Sequence, residues 1–334
     1  MTSCGKQEEE MEKDMSASIF FADNERYADI INGIGCDGVP FVKGKDLQEM
    51  DTRVNLGRIN GFRRKPRKKK LLYRDLLRRT SFGMNFAIIG IENQEEIDYA
   101  LALRTMCYDA GEYERQAVQI RRKVRVNPQG LTKGEYLYGF KKKSRLYPTV
   151  TFVLYYGEKE WDGAKDIHGL LDFTGIPDSL RNKVSNYQIH VVEVQKLENT
   201  DIFKTDVKQV FDFIRFSKNK EKLKELINTD KAYAFLEEDA YDMVINHTGD
   251  KKMMKIKDKY RKGGKVDMCQ GLKEWMEDER NEGKEIGKEI GDASRLIISV
   301  EAAMKNFDVD LKQACEGTGT TVEEYEKAKM NLAR

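Results

Sequence analysis

The chain has 334 residues, 35% of them charged and 40% apolar, with a formal net charge of only +2. That length admits one full domain plus a smaller region, and the balance predicts a soluble protein with a core and a heavily charged surface, without marking a nucleic-acid binder by composition alone. Five scattered cysteines (Cys4, Cys36, Cys107, Cys269, Cys315) with no CxxC pair argue against a disulfide framework and a structural zinc site.

Residues 1–15, "MTSCGKQEEEMEKDM", are acidic and poor in large apolar groups, which predicts a mobile tail and no secretory h-region. No later apolar run approaches the ~18 residues that span a bilayer. The expectation is a reduced, cytoplasmic protein without a membrane segment. "ADNERYADIINGIG" then predicts a short helix, capped by Asp23 or Asn24 and ended by Gly33 or Gly35. "VPFVKG" (39–44) is a candidate strand. It is followed by a basic run in which Arg63, Arg64, Lys65, Arg67, Lys68, Lys69 and Lys70 fall within eight residues.

"LLYRDLL" (71–77) and "MNFAIIGIE" (84–92) read as two strands joined by "RRTSFG", with Gly83 as the turn residue. The helical segment "EEIDYALALRTMCYDAGEYERQAVQI" follows, with Ile97, Leu101 and Tyr108 on its buried face. "PTVTFVLYYG" (148–157) is the clearest strand, and Trp161 anchors the chain after it. A short helix near 165–172 and a strand "YQIHVVEV" (187–194) come next. From about residue 202 the pattern is helical, opening with the amphipathic "VKQVFDFIRF". Residues 279–291 repeat a charged unit with glycines at 283, 287 and 291, readable as an exposed helix or a linker and as a surface for self-association. The tail reads as a small helical hairpin or bundle.

The apolar run ending at Ile91 meets Glu92, Asn93 and Gln94 directly, and Glu92 and Gln94 share a face of the strand. If "RRTSFG" closes a hairpin, Asp75 lies roughly opposite Glu92. Two carboxylates at ~4 Å repel by about 4 kcal/mol at an effective dielectric of about 20. Such a pair must raise one pKa, hold a cation such as Mg²⁺ or Mn²⁺, or be neutralised by Arg74, Arg78 and Arg79. Glu25 and Asp29, four apart on the first helix, either extend an acidic pocket or form a solvated face. The basic run at 63–70 suits phosphate, of DNA or RNA alike. His168, His190 and His247 have no ligand-like spacing.

"FFADNERYADIING", "YRDLL", "IIGIENQEEIDYALALRTMCYDAGEYERQ" and "YPTVTFVLYYG" together resemble the Rpn family of recombination-promoting nucleases. Its members also carry a transposase label and belong to the PD-(D/E)XK nuclease superfamily. The resemblance runs from about residue 18 to 220. It implies an α/β core of helix, three strands, helix and strand, with a mixed central sheet flanked by helices, over residues 16–218. A mainly helical region fills 219–334.

By the same resemblance Asp75 and Glu92 hold Mg²⁺ or Mn²⁺ with the Asn93 carbonyl, and Gln94 stands where most of the superfamily carries lysine. Asn24, Glu25 and Asp29 compete for the first-helix acid. The implied activity is hydrolysis of DNA phosphodiesters linked to recombination. Two other readings stay open: a nuclease-like DNA-binding or regulatory protein without activity, and a scaffold whose helical C-terminus binds partners or a second copy.

Overall fold

The computed structural model describes residues 15–55, 71–73, 76–91, 97–248 and 251–332. Contacts divide the chain into a unit that runs to Met268 and a second from Cys269 to Arg334.

The first unit opens with helix α1 (residues 15–20) and helix α2 (Asn24–Ile30). As the sequence predicts, Asp23 caps α2, its carboxylate accepting from the amides of Glu25 and Arg26. A π-turn, Ile31–Gly35, ends it. Glycine is needed there for close approach, since a Cβ on Gly33 would lie 2.5 Å from the Phe203 ring and one on Gly35 2.8 Å from Phe152. The candidate strand at 39–44 is not one. Its extended backbone is held by Asn32, which accepts from the amides of Phe41 and Val42 and donates to the Val42 carbonyl.

Strand β1 (Leu47–Glu49) comes later, and a ribbon of β2 (Arg53–Asn55) and β3 (Leu71–Tyr73) follows. β4 (Leu76–Thr80) and β5 (Asn85–Ile91) form the expected antiparallel hairpin, with Gly83 in its turn at φ +92°. The long α3 (Leu101–Val126) and the exposed α4 (Lys133–Tyr138) lead to β6 (Thr149–Tyr155), which pairs parallel to β5. After a 3-10 turn at His168–Leu170 and α5 (Asp178–Arg181) comes β7 (His190–Glu193), parallel to β6. The five-stranded mixed sheet has the order β1-β4-β5-β6-β7. The run "LLYRDLL" therefore divides between two sheets: β3 pairs with β2, and β4 pairs with β1 and β5.

Alternation along β6 builds the two faces. Val153 and Tyr155, both fully buried, pack with Leu101 and Ala102 of α3 and with Trp161, Ile167 and Ile189. Phe152 meets Gly35 on the other side, and Tyr156 packs edge-on against Phe211 of α6 (Val207–Phe216). Each such side chain contributes about 1.5–3 kcal/mol on burial, so the sheet is clamped between α3 and the α2–α6 layer.

The rest of this unit is α7 (Lys220–Thr229), β8 (Leu236–Glu237), α8 (Glu238–Thr248), α9 (Lys251–Tyr260) and the short strands β9 (Arg261–Lys262) and β10 (Lys265–Val266). In the second unit, α10 (Met268–Phe307) contains the glycine repeat of 279–291 as continuous helix. Its C-terminal part joins α11 (Leu311–Gly317) and α12 (Val322–Leu332) around Val300, Ala314, Cys315 and Tyr325, the small bundle expected of the tail. Among the described residues no helix is long and apolar enough to cross a membrane.

One guanidinium ties three helices of the first unit together. Arg26, buried in α2, donates to both oxygens of Asp206 (2.7 and 2.8 Å), just before α6, and to Asp239 (2.9 Å), in the first turn of α8. Burial works against its charge, yet the two carboxylates raise its pKa above the ordinary arginine value. Removing one partner of a buried pair strands the others, at about 3–5 kcal/mol. Arg26→Ala should lose stability of that order in urea unfolding. Arg26→Lys should recover little of it, because an ammonium cannot grip two carboxylates in a planar fork.

Candidate functional site

Antiparallel pairing sets Leu76 opposite Ile88 and Arg79 opposite Asn85, so β4 starts opposite Ile88 and β5 runs three residues further, to Ile91. Leu76 is the chain neighbour of Asp75, and Ile91 that of Glu92. Asp75, Glu92, Asn93 and Gln94 themselves lie outside the described residues, as do Arg63, Arg64, Lys65, Arg67, Lys68, Lys69 and Lys70, which connect β2 to β3.

Two of the arginines that could have neutralised the acids are engaged elsewhere. Arg78 is buried, donating from Nε to Asn24 Oδ1 (3.1 Å) and from Nη2 to the Ala22 carbonyl (3.2 Å). Asn24 also donates to the Leu47 carbonyl, and Tyr27 donates its hydroxyl to the Phe86 carbonyl at 2.8 Å. These bonds dock α2 across β1 and the hairpin. Arg79 donates to Asn85 Oδ1 (2.8 Å) and pairs with Glu112 of α3 (3.2 Å). Arg78 therefore serves the docking of α2, and Arg79 the turn end of the hairpin. Asn85 and Ile91 are six residues apart, about 20 Å along a strand.

Glu112 is the centre of a polar stripe on α3 that the sequence reading missed. It accepts from Asn85 (3.1 Å) and Gln116 (3.2 Å) and pairs with Arg115. One turn earlier Asp109 accepts from Thr151 (2.9 Å) and from the Tyr187 hydroxyl. Thr105, Asp109, Glu112 and Gln116 are all buried, and their three- and four-residue spacing was the available signal.

Toward the other end of the sheet the polar groups are less satisfied. Thr105 Oγ1 and the Tyr155 hydroxyl are buried with no hydrogen-bond partner among the described residues. Burial pushes the Tyr155 phenol up, and the charges of Glu193 and Asp162 add to that. In register Ile91 pairs with Tyr155 and Tyr155 with Glu193, so three parallel strands finish together here. Although burial opposes it, the Trp161 amide (3.0 Å) and Lys196 (3.0 Å) hold Glu193 below the usual carboxylate range.

The two first-helix acids have different environments. Asp29 is buried, and its carboxylate accepts from the amides of Lys204 (2.9 and 2.8 Å) and Thr205 (2.7 Å) and from the Thr205 hydroxyl (2.7 Å). It clamps the loop entering α6. Glu25 is exposed and lies over Gly44, where a Cβ would come within 2.6 Å of its carboxylate. His168 and His247 each bond a backbone carbonyl, of Val184 and Met243. Among the described residues no three His, Cys, Asp or Glu side chains converge as a metal-ligand group.

A cleft of about 720 Å³ lies above the Arg26–Asp206–Asp239 cluster, between α2, the 203–209 segment and β8. Its floor charges are satisfied by one another, which makes it a junction between layers more than an open binding site.

Comparison of this chain with protein-family models, curated proteins and solved structures returns no match.

Two outcomes are expected. Asp29→Ala strands two half-buried amides and should cost about 1–3 kcal/mol by chemical denaturation, whereas Glu25→Ala should change stability by under about 0.5 kcal/mol. Because the folded Glu193 pKa is depressed, its stabilisation is present above the unfolded carboxylate value and lost as pH falls through the folded one. Glu193→Gln should thus lower Tm at pH 7 and converge with the parent chain once the pH falls below the depressed folded value.

Proposed function

We propose that the chain is a metal-dependent endonuclease acting on DNA, of the PD-(D/E)XK type, with Asp75, Glu92 and Gln94 as its catalytic set. The single observation that carries the reading is the hairpin placement. β4 begins immediately after Asp75, opposite Ile88, and β5 runs three residues further to end immediately before Glu92, both away from the turn end that Arg79, Asn85 and Glu112 hold. The order helix, strand, hairpin, helix and parallel strand supports it, as does the sequence resemblance.

The donor set fits a hard cation: two carboxylates and the Asn93 carbonyl supply oxygen ligands only, which suits Mg²⁺ or Mn²⁺. Asp75, Glu92 and that carbonyl would hold it. Such an ion, when bound, stabilises negative charge on a phosphodiester and acidifies water. Gln94 orients a water through its amide but brings no positive charge, unlike the lysine common at this position. The basic connection at 63–70 grips the phosphate backbone, and the link to recombination or mobile elements follows from the resemblance alone.

Plasmid nicking with Mg²⁺ tests the assignment. Loss of groups that merely orient a metal's ligands already costs about 10–100-fold, so Asp75→Ala and Glu92→Ala should each lose at least about 100-fold with unchanged Tm. Gln94→Lys should retain cleavage. Equal nicking by parent and both alanine variants would reject the site.

A further inference from the structure

The part of the first unit beyond the sheet has a topology that the nuclease reading does not use. After α6 and α7 come the short strand β8, the helices α8 and α9 joined across residues 249–250, and the β9–β10 hairpin turning at Gly263–Gly264. The three strands are antiparallel in the order β8-β10-β9. Helix, strand, two helices, then a hairpin whose last strand lies between the other two is the arrangement of a winged helix-turn-helix. In helix-turn-helix modules the second paired helix faces outward into the major groove of duplex DNA.

The inner contacts hold α9 as that arrangement requires. α6 packs on α8, and α8 on α9. Tyr241 of α8, fully buried, donates its hydroxyl to the Met253 carbonyl at 2.9 Å, and Met253 is itself buried. Lys257 crosses back to Asp242 (2.7 Å) and Glu238 (2.8 Å). The Glu238 amide donates to the Gly264 carbonyl (3.1 Å), and Asp267 donates its amide to Tyr260 (3.1 Å), fixing the hairpin against both helices. The outer face of α9 is Met254, Lys255, Asp258 and Lys259, all exposed, and the hairpin exposes Arg261, Lys262 and Lys265.

Charge completes the case. From 251 to 265 eight residues are basic (Lys251, Lys252, Lys255, Lys257, Lys259, Arg261, Lys262 and Lys265) and only Asp258 is acidic. The nearby carboxylates are used on Lys257, Arg261 and Lys265. Lys255, Lys259 and Lys262 add exposed positive charge to this surface. A single-strand groove needs aromatic platforms for stacking, and the exposed face of α9 offers Met254 and lysines instead. A ten-residue helix, about 15 Å long, suits a groove about 12 Å wide.

We propose that α9 and the β9–β10 hairpin are a duplex-DNA docking surface, with α9 in the major groove and the hairpin on flanking phosphates. This surface is separate from the 63–70 connection and does not depend on Asp75 or Glu92 being catalytic.

The test is anisotropy of a labelled duplex with the full chain in EDTA, where cleavage plays no part, across a salt series. Each lost phosphate contact lowers the log–log salt slope by about 0.9. The triple variant Lys255→Glu, Lys259→Glu, Lys262→Glu should weaken binding at least about tenfold and reduce the slope by about 2–3. It should do so again in a chain whose 63–70 basic residues are alanine. The milder pair Lys255→Ala, Lys262→Ala should give an intermediate loss, and serves if the triple variant fails to fold by circular dichroism. Unchanged affinity and slope for the folded variants overturns the proposal, as does tighter binding of RNA or single-stranded DNA than of duplex by the parent chain.

Discussion

Arg26 is the constraint on which the first unit hangs. From α2 it reaches the entrance of α6 through Asp206 and the start of α8 through Asp239. A buried guanidinium with five donors tolerates only an arrangement that supplies enough acceptors, and here the Phe20 carbonyl adds a further one while its ring packs on the cation. The α2–α6 layer and the helical module that begins with α8 are thereby fixed by the same side chain. Asp29, three residues on, repeats the device with the polarity reversed, a buried carboxylate gathering the amides of 204 and 205.

These polar anchors are unevenly spread over the sheet. The turn end of the β4–β5 hairpin is held by Arg79, Asn85, Glu112 and Gln116, each satisfied by the others. Toward the opposite end are buried hydroxyls of Thr105 and Tyr155 with no partner among the described residues. A rigid, saturated network at one end and available polar groups toward the other is how a scaffold holds a site steady without filling it. This contrast, more than any single distance, is what gives the proposed position of the chemistry its physical sense.

Much of the fold was readable from apolar spacing. β5, β6 and α6 are long or strongly periodic, and Asp23 and Gly83 announced a helix cap and a turn. What escaped the reading was carried by polar residues or by very short elements. Thr105, Asp109, Glu112 and Gln116 look like a solvated face until α3 is seen against β6. Strands of two or three residues, such as β8 and β10, leave no period to detect, although "KYRKGGKV" holds a two-glycine hairpin signal. The stretch at 39–44 had a strand's composition, but Asn32 rather than a neighbouring strand satisfies its backbone. The candidate site itself was named from a resemblance and from two acids at the ends of apolar runs. Of its residues only Glu25 and Asp29 have a described environment, and Asp29 is occupied in bracing a loop.

The division of "LLYRDLL" between two sheets has a geometric consequence. Tyr73 ends a strand of the β2–β3 ribbon, and Leu76 begins a strand of the central sheet. The basic stretch 63–70 lies in the connection at the far end of that ribbon, and Asp75 lies two residues beyond its near end. The β2–β3 ribbon is three residue pairs long, so the stretch proposed to bind phosphate enters at one end of a short paired segment and the acid proposed to hold a metal follows the other.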